Sequence, residues 1–289
     1  MHLGKLIKDN LAMLIDLHNH SYYSDGVLSP KAVVKLAFDS KCDFFSLTDH
    51  DSVDGLQEAM LESERLGLRL ITGVEISATW NNMTIHILGL GIDPDNKVLN
   101  EGLNKHKELR AIRAIKMARG LTGAGIKDAL EKTQDIATTS MITRTHFAQM
   151  LINEGICKDM RSVFRRYLTG KKPGGVKVDW AEYTKVIEWI HGAEGKAVIA
   201  HPFRYRMTNS KIKRMMTSLK EAGCDAVEVV TGNSSNDEII LANKWAKELD
   251  LLTSSGSDFH GWPNQRVQVG KLQHLPEVEN CILKKIVNG

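Results

Sequence analysis

Asp16-Leu17-His18-Asn19-His20 and Thr48-Asp49-His50-Asp51 each close a short apolar run, Met13–Leu17 and Phe44–Leu47. Between them, Ser29-Pro30 supplies an N-cap and a first-turn proline, which predicts a helix through Pro30–Ser40. A helix through about Gly55–Leu66 and strands at Arg69–Thr72 and Met83–Leu90 continue the rhythm. It resumes later, where strands at Ala197–Ile199, Ala226–Val230 and Leu251–Ser254 alternate with helices such as Lys211–Ala222 and Asn236–Leu249. Such alternation predicts an α/β fold with a parallel sheet, open or closed into a barrel. The strong polar clusters fall where strands end, the face at which barrels carry their active sites.

The middle of the chain reads differently. From Asn100 to Val178 apolar residues recur at helical spacing, and most charges are basic, Arg110, Arg113, Arg144, Arg165, Arg166 and Lys171 among them. The spacing predicts a small helical insertion, leaving through the Pro173-Gly174-Gly175 turn. The expected organisation is residues 12–99 as the first part of one α/β domain, 100–178 as the insertion and 179–289 as the second part.

Composition narrows the function. With 289 residues, 42% hydrophobic and 25% charged, the chain is an ordinary globular one and neither a disordered tail nor a coiled coil. Its 38 Lys+Arg against 35 Asp+Glu leave a net charge of +3, too little to argue for a nucleic-acid coat or a membrane surface. No run approaches the ~18 apolar residues of a membrane helix, and Met1–Leu14, broken by Asp9 and Asn10, does not read as a signal peptide. Cys42, Cys157, Cys224 and Cys281 lie far apart, which favours a reducing, cytoplasmic setting. Nothing implies an obligate protein partner.

Six of the 11 histidines (His18, His20, His50, His86, His201 and His260) lie at or within strand ends, with the carboxylates Asp25, Glu75 and Asp258. A lone histidine there is more often structural, but nine candidate ligands in this pattern exceed the needs of one ion. His18 and His20, two apart on an extended segment, point to one face. Imidazole and carboxylate without thiolate suit Mn, Fe or Zn, and two or three ions sharing a carboxylate suit hydrolysis of a phosphoryl group. Asp49 and Asp51 read as groups that orient His50. No phosphate-binding Gly-x-x-x-x-Gly-Lys loop and no Gly-x-Ser-x-Gly elbow competes.

These blocks, in this order, resemble the polymerase-and-histidinol-phosphatase (PHP) superfamily of metal-dependent phosphoesterases. The matching pieces are Asp16–Ser21 with Ser24-Asp25-Gly26, Thr48–Asp51, Gly73–Ser77, Ala200-His201-Pro202 and Gly256–His260. The resemblance implies a distorted (β/α)7 barrel carrying an inserted small helical domain, with three divalent ions, manganese first and iron or zinc as alternatives. It implies His18, His20, Glu75 and Asp258 on a first ion, and Asp25, His50 and His201 on a second. Glu75 would bridge to a third held by His86 and His260. Asp25, His50, Glu75 and His201 would be the catalytic set, around a metal-bridging hydroxide as nucleophile.

Thr84–Gly89, Arg144–Ala148, Val163–Leu168 and Gly170–Gly174 are similar to the branch containing 3′,5′-nucleoside bisphosphate phosphatases and the 5′→3′ exoribonuclease RNase AM. Gly175 departs from that branch, whose members tend to carry an aromatic residue there. The expected activity is removal of the 3′-phosphate from 3′,5′-bisphosphonucleotides, with 5′→3′ exonuclease action on short RNA. Asp25, His50, Arg110, Arg113, Arg144 and His146 are the expected substrate contacts. Arg110 and Arg113, at i and i+3, could clamp a phosphate, or form a solvated helix face; Arg144 and His146, at i and i+2 in a loop or helix start, read as either a cap region or a phosphate contact. A histidinol-phosphate phosphatase is the competing enzyme, although it needs one phosphate pocket only. A non-catalytic metal- or nucleotide-binding module would lack ligands, and none of the nine is replaced. His2, His106, His191 and His274 match no motif.

Overall fold

The computed structural model describes residues 13–263 and 266–287. Met1–Ala12, which include His2, the first residue of the expected domain and most of the segment read against a signal peptide, lie outside the described residues.

Seven strands form one sheet in sequence order. β1 (Ile15–Asp16), β2 (Phe44–Leu47) and the start of β3 (Arg69–Trp80) pair in parallel. The connecting helices are α1 (Pro30–Asp39) and α2 (Leu56–Leu66). Ser29 caps α1 by accepting from the Ala32 N–H at 3.1 Å, with Pro30 in the first turn. β5 (Lys196–Ile199), β6 (Ala226–Thr231) and β7 (Leu252–Gly256) are again parallel. Their helices are α7 (Tyr183–Gly192), α8 (Asn209–Glu221) and α9 (Asn236–Glu248), and the short α10 (Leu283–Ile286) follows β7.

The sheet is not wholly parallel, contrary to the expectation from strand–helix alternation. β3 does not stop at Thr72; it continues to Trp80 and folds back through Asn81-Asn82 into β4 (Met83–Leu90). Both asparagines have positive φ, 46° and 61°. A two-residue loop with both φ positive carries the twist that a tight hairpin needs, and asparagine tolerates it. β4 therefore runs antiparallel to β3 and to β5.

The first and last strands meet beyond their ends. The Leu17 N–H donates to the Ser255 carbonyl at 2.9 Å, Asp258 to His18 at 2.7 Å and His20 to Phe259 at 2.9 Å. The buried Asp16 carboxylate fastens this seam by accepting from the backbone of Ser257 and Gly270, both at 2.8 Å. The result is a nearly closed barrel whose core includes Leu17, Phe45, Leu47, Val74, Ile76, Leu88, Val198 and Val227, all buried. Each such side chain contributes about 1.5–3 kcal/mol.

The 27-residue helix α3 (Lys97–Gly123) leaves the barrel after β4 and is about 40 Å long. Its buried stripe has apolar ends and a polar middle. Leu99 and Leu103 join the barrel core, whereas Ala114, Met117, Ala118 and Leu121 join a second apolar cluster with Phe147, Leu151 and Leu168. Between them on the same stripe lie His106, Arg110 and Arg113. The second cluster is completed from α4 (Ala129–Gln134), α5 (Arg144–Asn153), α6 (Met160–Val163) and a π-helical turn at Phe164–Leu168.

Gly256 marks how tightly the seam is packed. A β-carbon there would lie 2.2 Å from the His18 β-carbon and 2.7 Å from its backbone nitrogen. Gly256→Ala is therefore expected to cost at least about 1–3 kcal/mol. Urea unfolding should show a lower midpoint at unchanged slope; an unchanged midpoint would contradict this packing.

Candidate metal centre

Glu75 lies in the middle of β3, fully buried, not past a strand end as its sequence context suggests. Its Oε1 is 2.9 Å from His86 Nδ1 and 3.0 Å from His201 Nε2. Its Oε2 is 2.8 Å from His50 Nδ1 and 3.3 Å from both His18 Nε2 and His20 Nε2. Asp258 Oδ1 stands 3.1 Å from His20 Nε2, and Asp25 Oδ1 stands 3.1 Å from His260 Nε2. All nine side chains expected from the sequence thus converge on one place, with the barrel seam supplying His18, His20 and Asp258.

The backbone there is bent in ways side chains rarely accept. Asp51, His201 and Asp258 have φ of 47°, 30° and 56°. Residues held in that region cost of order 1–3 kcal/mol each and collect at functional sites. Here each turn re-aims a chain leaving a strand, so that the adjacent side chain faces the centre.

The donor atoms form three groups: His18, His20, Glu75 and Asp258; His20, Asp25, His50 and His260; and His50, Glu75 and His86. The first is the set implied by the resemblance. In the second, His260 stands where the resemblance put His201; the third has His50 in place of His260, and His201 joins none of the three although its Nε2 lies 3.0 Å from Glu75 Oε1. Strand order gives the reason. β5 lies beside β4, which puts His201 next to His86 through a 3.2 Å Ala200 N–H bond to the His86 carbonyl. The chain after β7 lies beside the chain after β1, which puts His260 against Asp25.

The chemistry of the donor set fits divalent metal ions. Asp25 Oδ1, His50 Nδ1, Glu75 Oε2 and His86 Nδ1 are buried and make no hydrogen bond. They approach one another without donor–acceptor alignment, as lone pairs aimed at shared points do. Burial holds the His50 imidazole down to about 4, so it is neutral near pH 7 and its lone pair is free. Burial also disfavours charge on His20, but the neighbouring Asp258 and Glu75 carboxylates override it and lift that imidazole to about 10. A cluster of buried carboxylates demands positive charge, which metal ions supply.

Several supporting residues escape a sequence reading. Glu228, the one charged residue of β6, accepts from His18 Nδ1 at 3.0 Å and from the His201 backbone N–H at 2.6 Å. It turns His18 Nε2 toward the centre. A single glutamate in a fully buried strand is the signal that could have found it. Arg204 pairs with Asp258, and the Tyr205 hydroxyl accepts from the His86 N–H at 2.8 Å.

Asp49 and Asp51 do not orient His50, contrary to expectation. Asp49 accepts from the Ser21 N–H at 2.7 Å and from the Ser21 and Ser24 hydroxyls, both at 2.6 Å, bracing the loop that carries Asp25. Asp51 accepts from the Ser77 N–H at 2.8 Å, from His106 Nδ1 at 3.0 Å and from Arg110 Nε at 2.7 Å. His106, without a motif, is thus the second link between α3 and the barrel, wedged against Trp180 and Trp189. His191 pairs with Asp225 at 2.9 Å.

The arginines also divide. None forms a solvated helix face: Arg110 and Arg113 are buried on the stripe of α3. Arg110 is committed to Asp51 and Ser77. Arg113 and Arg144 have no ion-pair or hydrogen-bond partner among the described residues, and both line a cavity of about 190 Å³ with Asp25, His50, His86 and His260. Trp180, beneath the Arg110 and Arg113 guanidiniums at 5.2 and 5.4 Å, forms another wall. Burial, then the neighbouring Arg110 and Arg144, hold Arg113 well below its usual range, a repulsion that an anion would relieve. His146, expected at the substrate, instead caps α5: its Nδ1 accepts from the Thr143 N–H at 3.1 Å. At Gly175 an added β-carbon would meet the Gly170 carbonyl at 2.3 Å, so an aromatic residue has no room in this turn.

Because Arg110 neutralises a buried carboxylate, Arg110→Ala should destabilise the fold by about 3–5 kcal/mol, whereas Arg113→Ala should cost much less. Equal losses in urea unfolding would refute the division. Burial alone would raise the Asp51 carboxyl, but Arg110 first, then His106, hold it far below the ordinary range. Its stabilisation is therefore complete above about pH 4 and lost as pH falls further. The stability gap between the wild type and Asp51→Asn should narrow in that direction.

The PHP domain family matches residues 16–215. A 3′,5′-nucleoside bisphosphate phosphatase of Chromobacterium violaceum is 42% identical over 94% of this chain and 96% of its own length. The Escherichia coli 5′-3′ exoribonuclease Rnm is 38% identical over 92% of each chain. A solved structure of a C. violaceum amidohydrolase, with bound sulfate and no metal, superposes with a TM-score of 0.91 at 41% identity over 95% of this chain and 96% of its own. With a family match over most of its length and relatives this similar along their whole chains, the protein belongs to the PHP domain family.

Proposed function

We propose that this chain is a metal-dependent hydrolase of phosphoric esters. It removes the 3′-phosphate of 3′,5′-bisphosphonucleotides and acts from the 5′ end on short RNA. One observation carries the reading: two of the three metal-type ligand groups, through Asp25, His50, His86 and His260, border the same cavity as Arg113 and Arg144, two guanidiniums without a carboxylate partner among the described residues. The phosphatase and exoribonuclease relatives support the substrate class.

His18, His20, Glu75 and Asp258 would hold one ion; Asp25, His50 and His260 a second; Glu75, His86 and His201 a third. We assign three Mn²⁺, and Fe or Zn suits the same donors. Divalent ions bound there supply Lewis-acid polarisation of the scissile phosphoryl group and lower the pKa of water. The chain's own residues do the rest. Asp25 and His50 face the reacting group from the cavity wall, while Glu75 and His201 fix the geometry from behind. Arg113 and Arg144 bind the phosphate that is not cleaved, with Arg110 adding charge from its fixed place on Asp51. The segment 100–178 acts as a cap that brings these cations over the barrel.

A histidinol-phosphate phosphatase would leave the arginine pair without a ligand, and a non-catalytic module would not need the complete ligand set. Among the described residues no helix is long and apolar enough to cross a membrane. The four cysteines are buried free thiols, which supports a cytoplasmic location.

Charge-assisted contacts of arginine with phosphate contribute about 1.5–3 kcal/mol. Arg113→Ala or Arg144→Ala should thus lower kcat/KM for 3′,5′-bisphosphoadenosine about ten- to a hundred-fold. The loss should be far smaller for a 3′-monophosphate; uniform loss on both would contradict the assignment. Elemental analysis should find more than one transition-metal ion per chain, with chelation abolishing activity. Glu75→Gln should lose metal and activity together, whereas His86→Ala retains part of the metal. Equal metal content in the two variants would count against a shared Glu75.

A further inference from the structure

Residues 155–172 carry Lys158, Arg161, Arg165, Arg166, Lys171 and Lys172 against a single acid, Asp159. All six cations are exposed, and none forms an ion pair among the described residues. Elsewhere on the surface lysines do pair, as Lys35 with Asp39, Lys132 with Glu154 and Lys213 with Glu248. Asp159, whose carboxylate caps α6 by accepting from the Ser162 N–H at 2.7 Å, is the one acid among them and feels the charges of Lys158 and Arg165. A chain of net charge +3 thus keeps a strip with an excess of positive charge on one segment.

The strip borders a groove of about 570 Å³ lined by Ile152, Ile156, Cys157, Lys158, Arg165 and Arg166. Two elements join it to the metal cavity. On the π-helical turn, Phe164 lines the cavity while its neighbours Arg165 and Arg166 line the groove. Such turns are rare and frequent at functional sites. On α5, Arg144 stands at the cavity and Ile152 at the groove, eight residues or about 12 Å away. A mononucleotide held in the cavity does not span that distance, but an RNA strand does. Arg166 also lies over the Tyr167 ring at 5.4 Å, presenting a flat cation beside an aromatic face.

We infer that this groove is a track for single-stranded RNA, holding the nucleotides 3′ of the one whose phosphate lies at the metal centre. The inference rests on the proposed phosphoesterase reading and deepens it, since it assigns a longer substrate to the same centre. Basic grooves that follow a backbone, with aromatic faces, bind single strands with little sequence preference and strong salt dependence.

The test uses the full-length, metal-loaded enzyme and the double variant R165Q/R166Q. Substrates are 3′,5′-bisphosphoadenosine, a 5′-phosphorylated dinucleotide and a 5′-phosphorylated RNA of about eight nucleotides. Binding of the same RNA, fluorescently labelled and made with phosphorothioate linkages that resist hydrolysis, is followed by anisotropy on the metal-loaded enzyme at several salt concentrations. The variant should bind the longer RNA at least about ten-fold more weakly, with a salt slope shallower by about 0.7 for each phosphate no longer neutralised. Its kcat/KM should fall on that RNA only, and be unchanged on the bisphosphate and the dinucleotide. An unchanged affinity and salt slope, or a loss spread equally over all three substrates, would overturn the track. So would wild-type RNA binding that is no tighter for the longer strand, even with the bisphosphate turned over normally. Absence of hydrolysis on every substrate would instead defeat the phosphoesterase reading, while anisotropy still decides the track.

Discussion

A carboxylate buried in the middle of a strand, without a cation beside it, is among the costliest things a barrel can contain. Glu75 is such a group, and five imidazoles answer it, from the ends of β1, β2 and β5 and from β4. The requirement reaches far into the architecture. It needs β3 to run past its parallel partner so that Glu75 sits at depth, and it needs β4 to return antiparallel so that His86 lies beside it. It also needs the seam closed, because His18 and His20 reach their places only when the chain after β1 is tied to the chain after β7.

His50 and Asp51 carry the constraint outward. One residue faces Glu75; the next, with left-handed φ, faces the opposite way and receives Arg110 and His106 from α3. A single peptide unit therefore links the ligand cluster to the long helix whose far end packs in the second apolar cluster. Arg113, one turn further along α3, overhangs the cavity because Arg110 is pinned. The two arginines share a sequence environment and differ in what they do. Arg110 has its charge neutralised within the fold, whereas Arg113 lines the cavity with no ion-pair partner among the described residues.

The parts legible in the sequence were those written locally. Phe44–Leu47 and Met83–Leu90 are mainly apolar runs, and the strands occupy the same residues. The convergent side chains were legible because most stand in a short polar block beside such a run, while Glu75 and His86 interrupt apolar stretches that are themselves strands. What escaped depends on neighbours distant in sequence. The antiparallel return of β4 was signalled only by Asn81-Asn82, a turn that strand–helix alternation conceals. The partners of His201 and His260 follow from which strands are adjacent, and no local pattern states that. Arg110 and Arg113 look alike at i and i+3; only the position of Asp51, 59 residues from Arg110, separates them. For His146 the sequence left a cap region or a phosphate contact open, and its place three residues after Thr143 is the helix-capping one.

The long helix α3 has a consequence for how the molecule comes apart. Its first turns belong to the barrel core and its last to the second apolar cluster, while isolated helices derive most of their stability from what they pack against. Neither cluster can lose its share of α3 without loosening the other's hold on it. The second cluster is consequently not a module to be cut away or grafted elsewhere. The two clusters are parts of one cooperative unit, and variation that lengthens or shortens the chain between them has to respect the phase of a single helix shared by both.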